Sequence, residues 1–112
     1  MITYEVEVYA NGSKHWRLNG RRHREDGPAM EWADGSEQWY LHGKLHREDG
    51  PAIEYANGDK RWLLNGKRHR EDGPAIERAN GTKEWWLYGK ELTEAEHKAK
   101  MQPTKELTVS DI

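Results

Sequence analysis

The chain has no cysteine and no phenylalanine, and only 34% of its 112 residues are hydrophobic. Without thiols it builds no disulfide scaffold, no thiolate metal site and no cysteine nucleophile. Its serines stand at 13, 36 and 110, none of them in a Gly-x-Ser-x-Gly elbow, so a nucleophilic serine site has no support. No apolar run reaches the length of a membrane span or a signal peptide, which makes the cytoplasm the expected location. Charge of one sign is lacking as well. Lys and Arg number 18 against 20 Asp and Glu, a formal charge of −2, which argues against a phosphate-coating basic protein and a strongly acidic one. The length fits one small domain with a thin core. What the chain does have is six Trp, five Tyr and eleven Gly.

These residues recur at a fixed interval. Gly12, Gly35, Gly58 and Gly81 are 23 apart, as are Trp16, Trp39, Trp62 and Trp85, and Gly20, Gly43, Gly66 and Gly89. The heptapeptide HREDGPA occurs verbatim at 23–29, 46–52 and 69–75. Four units follow, at 9–31, 32–54, 55–77 and 78–100, the last departing from the pattern after Lys90. Residues 1–8 are then a lead-in strand, 9–90 the repeat domain, 91–102 a capping segment and 103–112 a tail, expected to lack structure.

Two glycine turns per 23 residues leave no room for helices between them. Asn11-Gly12, Asp34-Gly35, Asn57-Gly58 and Asn80-Gly81 suit two-residue hairpin turns, as do Asn19-Gly20 and Asn65-Gly66; His42-Gly43 and Tyr88-Gly89 are poorer variants. Counting outward from such turns puts Tyr55 opposite Lys60, Glu54 opposite Arg61 and Ile53 opposite Trp62. It also puts Leu64 opposite Lys67, Trp62 opposite His69, Trp39 between Met30 and His46, and Trp85 between Ile76 and Leu92. Trp16/Leu18, Trp39/Leu41, Trp62/Leu64 and Trp85/Leu87 share strand parity and are expected to form a buried stripe. The first hairpin departs from the count, pairing Glu7 with Trp16 and turning Val6 and Val8 away. Its register is shifted by one, or the lead-in strand caps the stack differently. After the last repeat, Thr93 followed by Glu96 is a capping-box signature, predicting a short helix from near Glu94 that covers the end of the stack. The expected fold is all-β: one elongated antiparallel sheet of repeated hairpins with a short C-terminal capping helix.

The spacing of Trp62, Asn65-Gly66-Lys67, His69, Gly73 and Tyr55-Ala56-Asn57-Gly58 resembles the MORN repeat over roughly residues 9–90. The chain departs from that pattern in its Arg-Glu-Asp-Gly-Pro segment. The HREDGPA form is similar to repeat proteins encoded by phages and large viruses. That resemblance implies a viral accessory or inhibitor protein acting on a host protein, and implies no catalytic activity. A lipid-bound role is not carried over, because the chain lacks the basic cluster that anionic lipids require.

Three sites are candidates. Arg17, Tyr40, Leu63 and Trp86 share one repeat position on the face opposite the Trp stripe. They make a row of aromatic anchors for a protein partner, unless the chain itself covers that face. His23, Arg24, His46, Arg47, His69 and Arg70 are a possible site for a small anionic ligand such as a nucleotide. A metal-dependent hydrolase would use His46, Glu48 and Asp49. Equivalent histidines, however, lie about 10 Å apart across two strands, and one unit supplies few ligands. The structural reading of HREDGPA is the stronger one: His packed on Trp, Arg and Glu in a charge ladder, and Asp-Gly-Pro turning into the next strand. The reading is therefore a non-enzymatic binding module with a protein partner and no cofactor. Self-association through the 2–9 edge strand is open to it. Nucleic acid is disfavoured by the carboxylates of every repeat, and no membrane partner is expected.

Overall fold

The computed structural model describes residues 3–102. The expected tail at 103–112 lies outside the described residues. Strands β1 (Glu5–Val8) and β2 (Lys14–Leu18) form the first hairpin, and β3 (Arg21–Arg22) pairs back on β2. The plan repeats with β4 (Met30–Glu31), which closes the first unit, β5 (Glu37–Gln38), β6 (Tyr40–Leu41) and β7 (Lys44–Leu45). It repeats again with β8 (Ile53–Glu54), which closes the second unit, β9 (Lys60–Arg61), β10 (Leu63–Leu64) and β11 (Lys67–Arg68). The last round has β12 (Ile76–Glu77), which closes the third unit, β13 (Lys83–Leu87) and β14 (Lys90–Leu92), and ends in helix α1 (Glu94–Met101). Ten strands make one antiparallel sheet, ordered β1-β2-β4-β5-β8-β9-β12-β13-β14 with β3 beside β2. The pairs β6-β7 and β10-β11 are side hairpins, and nothing closes into a barrel. The slab measures 67 × 38 × 18 Å.

The two glycine turns of each unit differ in kind. Asn19, His42, Asn65 and Tyr88 have φ of 48° to 53° and precede glycines that also have positive φ. These are the expected two-residue turns, and Leu64 faces Lys67 as counted. At the other turn only the glycine has positive φ, from 90° to 100°. Here the loop holds three residues, for example Ala56-Asn57-Gly58, closed by the Tyr55 N–H on the Asp59 carbonyl at 2.9 Å. The asparagine or aspartate bonds the N–H two residues on, as Asn57 Oδ1 does to Asp59 at 3.0 Å. That local bond favours a right-handed turn followed by a left-handed glycine.

The extra loop residue slips the register by one, which moves every side chain to the other face. Ile53 pairs with Arg61 instead of Trp62, Glu54 with Lys60, Met30 with Gln38 and Ile76 with Glu84. In the first hairpin Val6 pairs with Trp16, so its one-residue shift is the rule of every unit and not an exception. On the far side of each tryptophan the count holds: the His69 N–H bonds the Trp62 carbonyl at 3.0 Å, and Trp85 pairs with Leu92.

The slip also relocates the core. The buried hydrophobic residues are Ala29, Met30, Ala52, Ile53, Leu63, Ala75, Ile76 and Leu92, while the four repeat tryptophans are half-buried. Across the boundary of the second and third units Ala52, Ile53 and Leu63 pack together, flanked by Trp39 and Leu45. The expected Trp/Leu stripe is thus the rim of a core built on alanine and isoleucine. With so thin a core, bonds between units carry much of the order. Ser13 Oγ, Ser36 Oγ and Asp59 Oδ1 accept from the backbone N–H groups of Ala33, Ala56 and Ala79, at 2.7 to 2.9 Å. Helix α1 begins at Glu94 with the capping box formed in both directions, Thr93 Oγ1 accepting from the Glu96 N–H and Glu96 Oε1 from the Thr93 N–H. It lies against the last strands, where buried His97 reaches the Arg70 carbonyl at 2.7 Å. No helix among the described residues is long and apolar enough to cross a membrane.

Candidate functional site

Within each HREDGPA segment the arginine is held by its own neighbours. The guanidinium of Arg24, Arg47 or Arg70 lies 3.9 to 4.0 Å from the ring centre of Trp16, Trp39 or Trp62. On its other side is the backbone of Gly27, Gly50 or Gly73, where an added Cβ would stand 2.8 to 2.9 Å from Cζ. Nε donates to the aspartate two residues on, as Arg47 does to Asp49 at 3.0 Å, and Nη1 donates to the proline carbonyl four residues on at 3.1 to 3.2 Å. The hydrogen bond from Arg70 holds the Asp72 carboxyl below the usual carboxylate range.

The histidines act between units. Nδ1 of His23, His46 and His69 accepts the backbone N–H of His42, Asn65 and Tyr88, each nineteen residues on, at 2.8 to 2.9 Å. The other ring nitrogen faces the glutamate two residues on, at 3.4 to 3.6 Å. Those N–H groups belong to the positive-φ residues of the next unit's two-residue turn. The imidazole therefore supplies an acceptor where the side hairpins meet. Beside it, the N–H of Arg24, Arg47 and Arg70 bonds the carbonyl of Tyr40, Leu63 and Trp86 at 3.1 Å.

Grooves run between successive HRED segments. One, of about 740 Å³, is lined by Arg47, Glu48, Asp49, Arg70, Glu71 and Asp72, with Trp62, His69 and Tyr88 among its other residues. Its equivalent one unit earlier, about 350 Å³, includes Arg24, Trp39, His46 and Arg47. In the larger groove four carboxylates face two guanidiniums already stacked and bonded, a poor setting for an anionic ligand. Among the described residues no three His, Asp or Glu side chains form a metal-binding group, so His46, Glu48 and Asp49 do not converge on one point.

The expected aromatic row does not lie open. Leu63 is a core residue, 7% exposed. Tyr40 and Trp86 are half-buried under Arg22 and Arg68, whose guanidiniums stand 5.6 and 4.8 Å from their ring centres. The Trp86 indole N–H donates to Glu84 at 3.0 Å, and Arg17 is ion-paired with Glu7. The chain buries Leu63 and covers Arg17, Tyr40 and Trp86 in part. The one-residue slip is the cause, since it turns positions 17, 40, 63 and 86 toward the isoleucine spine.

A second series is more exposed. Tyr9, Trp32 and Tyr55, one repeat apart at the three-residue turns, are 41%, 40% and 37% exposed. Arg78 holds the fourth position of that row. His15 stands between the first two, 4.8 Å from the Tyr9 ring and 5.0 Å from the Trp32 ring. It is 7% exposed, neither ring nitrogen has a partner, and burial, then the charge of Arg22, lowers its pKa. Arg61 lies 5.5 Å over Tyr55, and Glu84 pairs with Arg78 at 2.6 Å. The bond from Arg78, then that from Trp86, lowers the Glu84 pKa. The 23-residue period of this row is plain in the sequence, but strand parity puts Trp32 and Tyr55 on the face of Met30 and Ile53, two residues earlier, and so gives no signal of exposure. No family model, curated protein or solved structure matches the chain.

Proposed function

We propose that this chain is a non-enzymatic binding module that engages a polypeptide partner through the row Tyr9, Trp32 and Tyr55. One observation carries the reading: these three aromatics are exposed at one-repeat intervals, whereas the arginine of each HREDGPA segment is bonded within it and the histidine to the next unit. Repeat sheets of this kind offer the same contact several times over, which suits an extended partner. The resemblance of HREDGPA to phage and large-virus repeats adds that the partner is a host protein and the setting a host cytoplasm.

The test compares capture of partners from host lysate by the parent chain and two variants. In the first, Tyr9, Trp32 and Tyr55 become arginine, the residue that the fourth unit already carries at this position. The second is Glu48→Gln/Glu71→Gln/Tyr88→Ala, in the larger groove. The reading requires partner loss with the first and retention with the second. The reverse result assigns binding to the groove and ends the proposal.

A further inference from the structure

Resting on that reading, we infer that the row takes a polyproline II segment of the form Pro-x-x-Pro-x-x-Pro followed or preceded by an acidic residue. Two strands per unit, each about 4.8 Å from the next, set the aromatics about 9.6 Å apart. The ring separations of 4.8 and 5.0 Å on either side of His15 agree with one strand per step. A polyproline II helix advances about 3.1 Å per residue with three residues per turn, so every third residue returns to one face after about 9.3 Å. Across three aromatics the accumulated mismatch is roughly 0.6 Å, within the reach of a side-chain torsion. A regular β-strand, with its two-residue period of about 6.6 Å, falls out of step at the first interval.

The chemistry of the row agrees. Exposed tyrosine and tryptophan rings are the surfaces on which proline rings pack, and the preformed helix loses little entropy on binding. The Trp32 indole N–H and Tyr55 hydroxyl are donors suited to the free carbonyls of such a helix. Sugar chains also lie on aromatic rows, and the test below includes them. The fourth row position supplies polarity to the match. Arg78, one repeat beyond Tyr55, meets the residue three places past the last proline; one of its nitrogens is paired with Glu84 at 2.6 Å, so an acidic side chain there binds through the remaining N–H groups of the guanidinium. Because a polyproline II helix can lie in either direction, the acidic residue is at one end or the other.

The test is calorimetric titration of the intact chain with synthetic peptides. The set comprises Pro-x-x-Pro-x-x-Pro-x-x-Glu, its reversed order, the same peptides with Gln for Glu, and a peptide with prolines four apart. In each, x is alanine or glutamine. Binding of one acidic peptide is expected, with loss of at least about tenfold on moving the prolines to a four-residue spacing. Trp32→Arg should cost the neutral peptide a similar factor. Arg78→Gln should abolish the advantage of Glu over Gln without affecting the neutral peptide, and circular dichroism confirms that both variants fold. Equal binding at either proline spacing, no binding of any peptide, or binding of xylan or β-glucan that Trp32→Arg removes would each overturn the inference. If no peptide binds while the triple arginine variant still loses its captured partner, the ligand class is wrong and the row stands. If the triple variant also keeps its partner, both fail.

Discussion

A single methyl group tests how HREDGPA holds the repeats together. In Gly50→Ala the new Cβ would lie 2.8 Å from Cζ of Arg47 and 3.1 Å from its Nε and Nη1. Backbone and proline ring cannot yield readily, so the guanidinium, the free end of a flexible side chain, must leave. It then loses the face of Trp39 at 3.9 Å and the Pro51 carbonyl at 3.2 Å. The stacking is worth about 0.5–2 kcal/mol and the charged hydrogen bond about 1.5–3 kcal/mol. The exposed Asp49 contact adds little. Against this, alanine stabilises by about 0.4–1 kcal/mol by restricting the unfolded chain, since Gly50 is not among the positive-φ glycines. Partial repacking leaves a net destabilisation of about 1–3 kcal/mol, opposite in sign to an unobstructed glycine-to-alanine change. Urea denaturation followed by tryptophan fluorescence gives the value. In an Arg47→Met background the same change should be neutral or stabilising, so the double-mutant cycle isolates the clash. A higher urea midpoint for Gly50→Ala in the parent chain would refute the sandwich.

Other predictions follow from the same contacts. His23→Ala empties a buried site and orphans the His42 N–H, and should cost about 2–4 kcal/mol in urea unfolding. A change under about 0.5 kcal/mol would show the inter-unit bond to be dispensable. His15 has its folded pKa below the ordinary 6.5, so the unfolded chain takes up the proton first as pH falls. Its contribution is complete above pH 6.5 and is lost between 6.5 and the folded value; His15→Leu should flatten that part of the stability profile between pH 7 and 5. An unchanged slope would mean that His15 is solvated in the native state. Glu84, with its pKa lowered by Arg78 and Trp86, acts in a lower window: its contribution is whole above the ordinary 4.5 and lost as pH falls through the folded value. Glu84→Gln should remove that part of the acid limb. Thr93→Ala breaks the capping box and should cost about 1 kcal/mol, read as loss of helical signal before the main transition.

Much of the fold was legible because the repeat states each local rule several times. Asn65-Gly66 specifies a positive-φ turn by itself, and the pairing of Leu64 with Lys67 follows from it. Thr93 and Glu96 mark the helix start without help from tertiary structure. Asn57-Gly58 was ambiguous, since the same dipeptide closes a two-residue turn or ends a three-residue loop. That one residue decided which side chains oppose the isoleucines, and so that Leu63 is a core residue and not part of an open row. The roles within HREDGPA were hidden for another reason. His46 finds its partner at Asn65, across a unit boundary, and Gly50 has its use only once Arg47 lies flat on Trp39. Neither relation follows a strand or helix period.

The central claim is a division of labour: HREDGPA holds the repeats together, and Tyr9, Trp32 and Tyr55 bind. The most direct measurement takes two variants through both assays, urea unfolding and partner capture. His23→Ala should lower the unfolding midpoint while the chain, still folded at low urea, retains its partner. Tyr9→Arg/Trp32→Arg/Tyr55→Arg should abolish capture with a midpoint closer to the parent's than that of His23→Ala. The account is contradicted if His23→Ala, verified as folded, loses the partner while the aromatic variant keeps it.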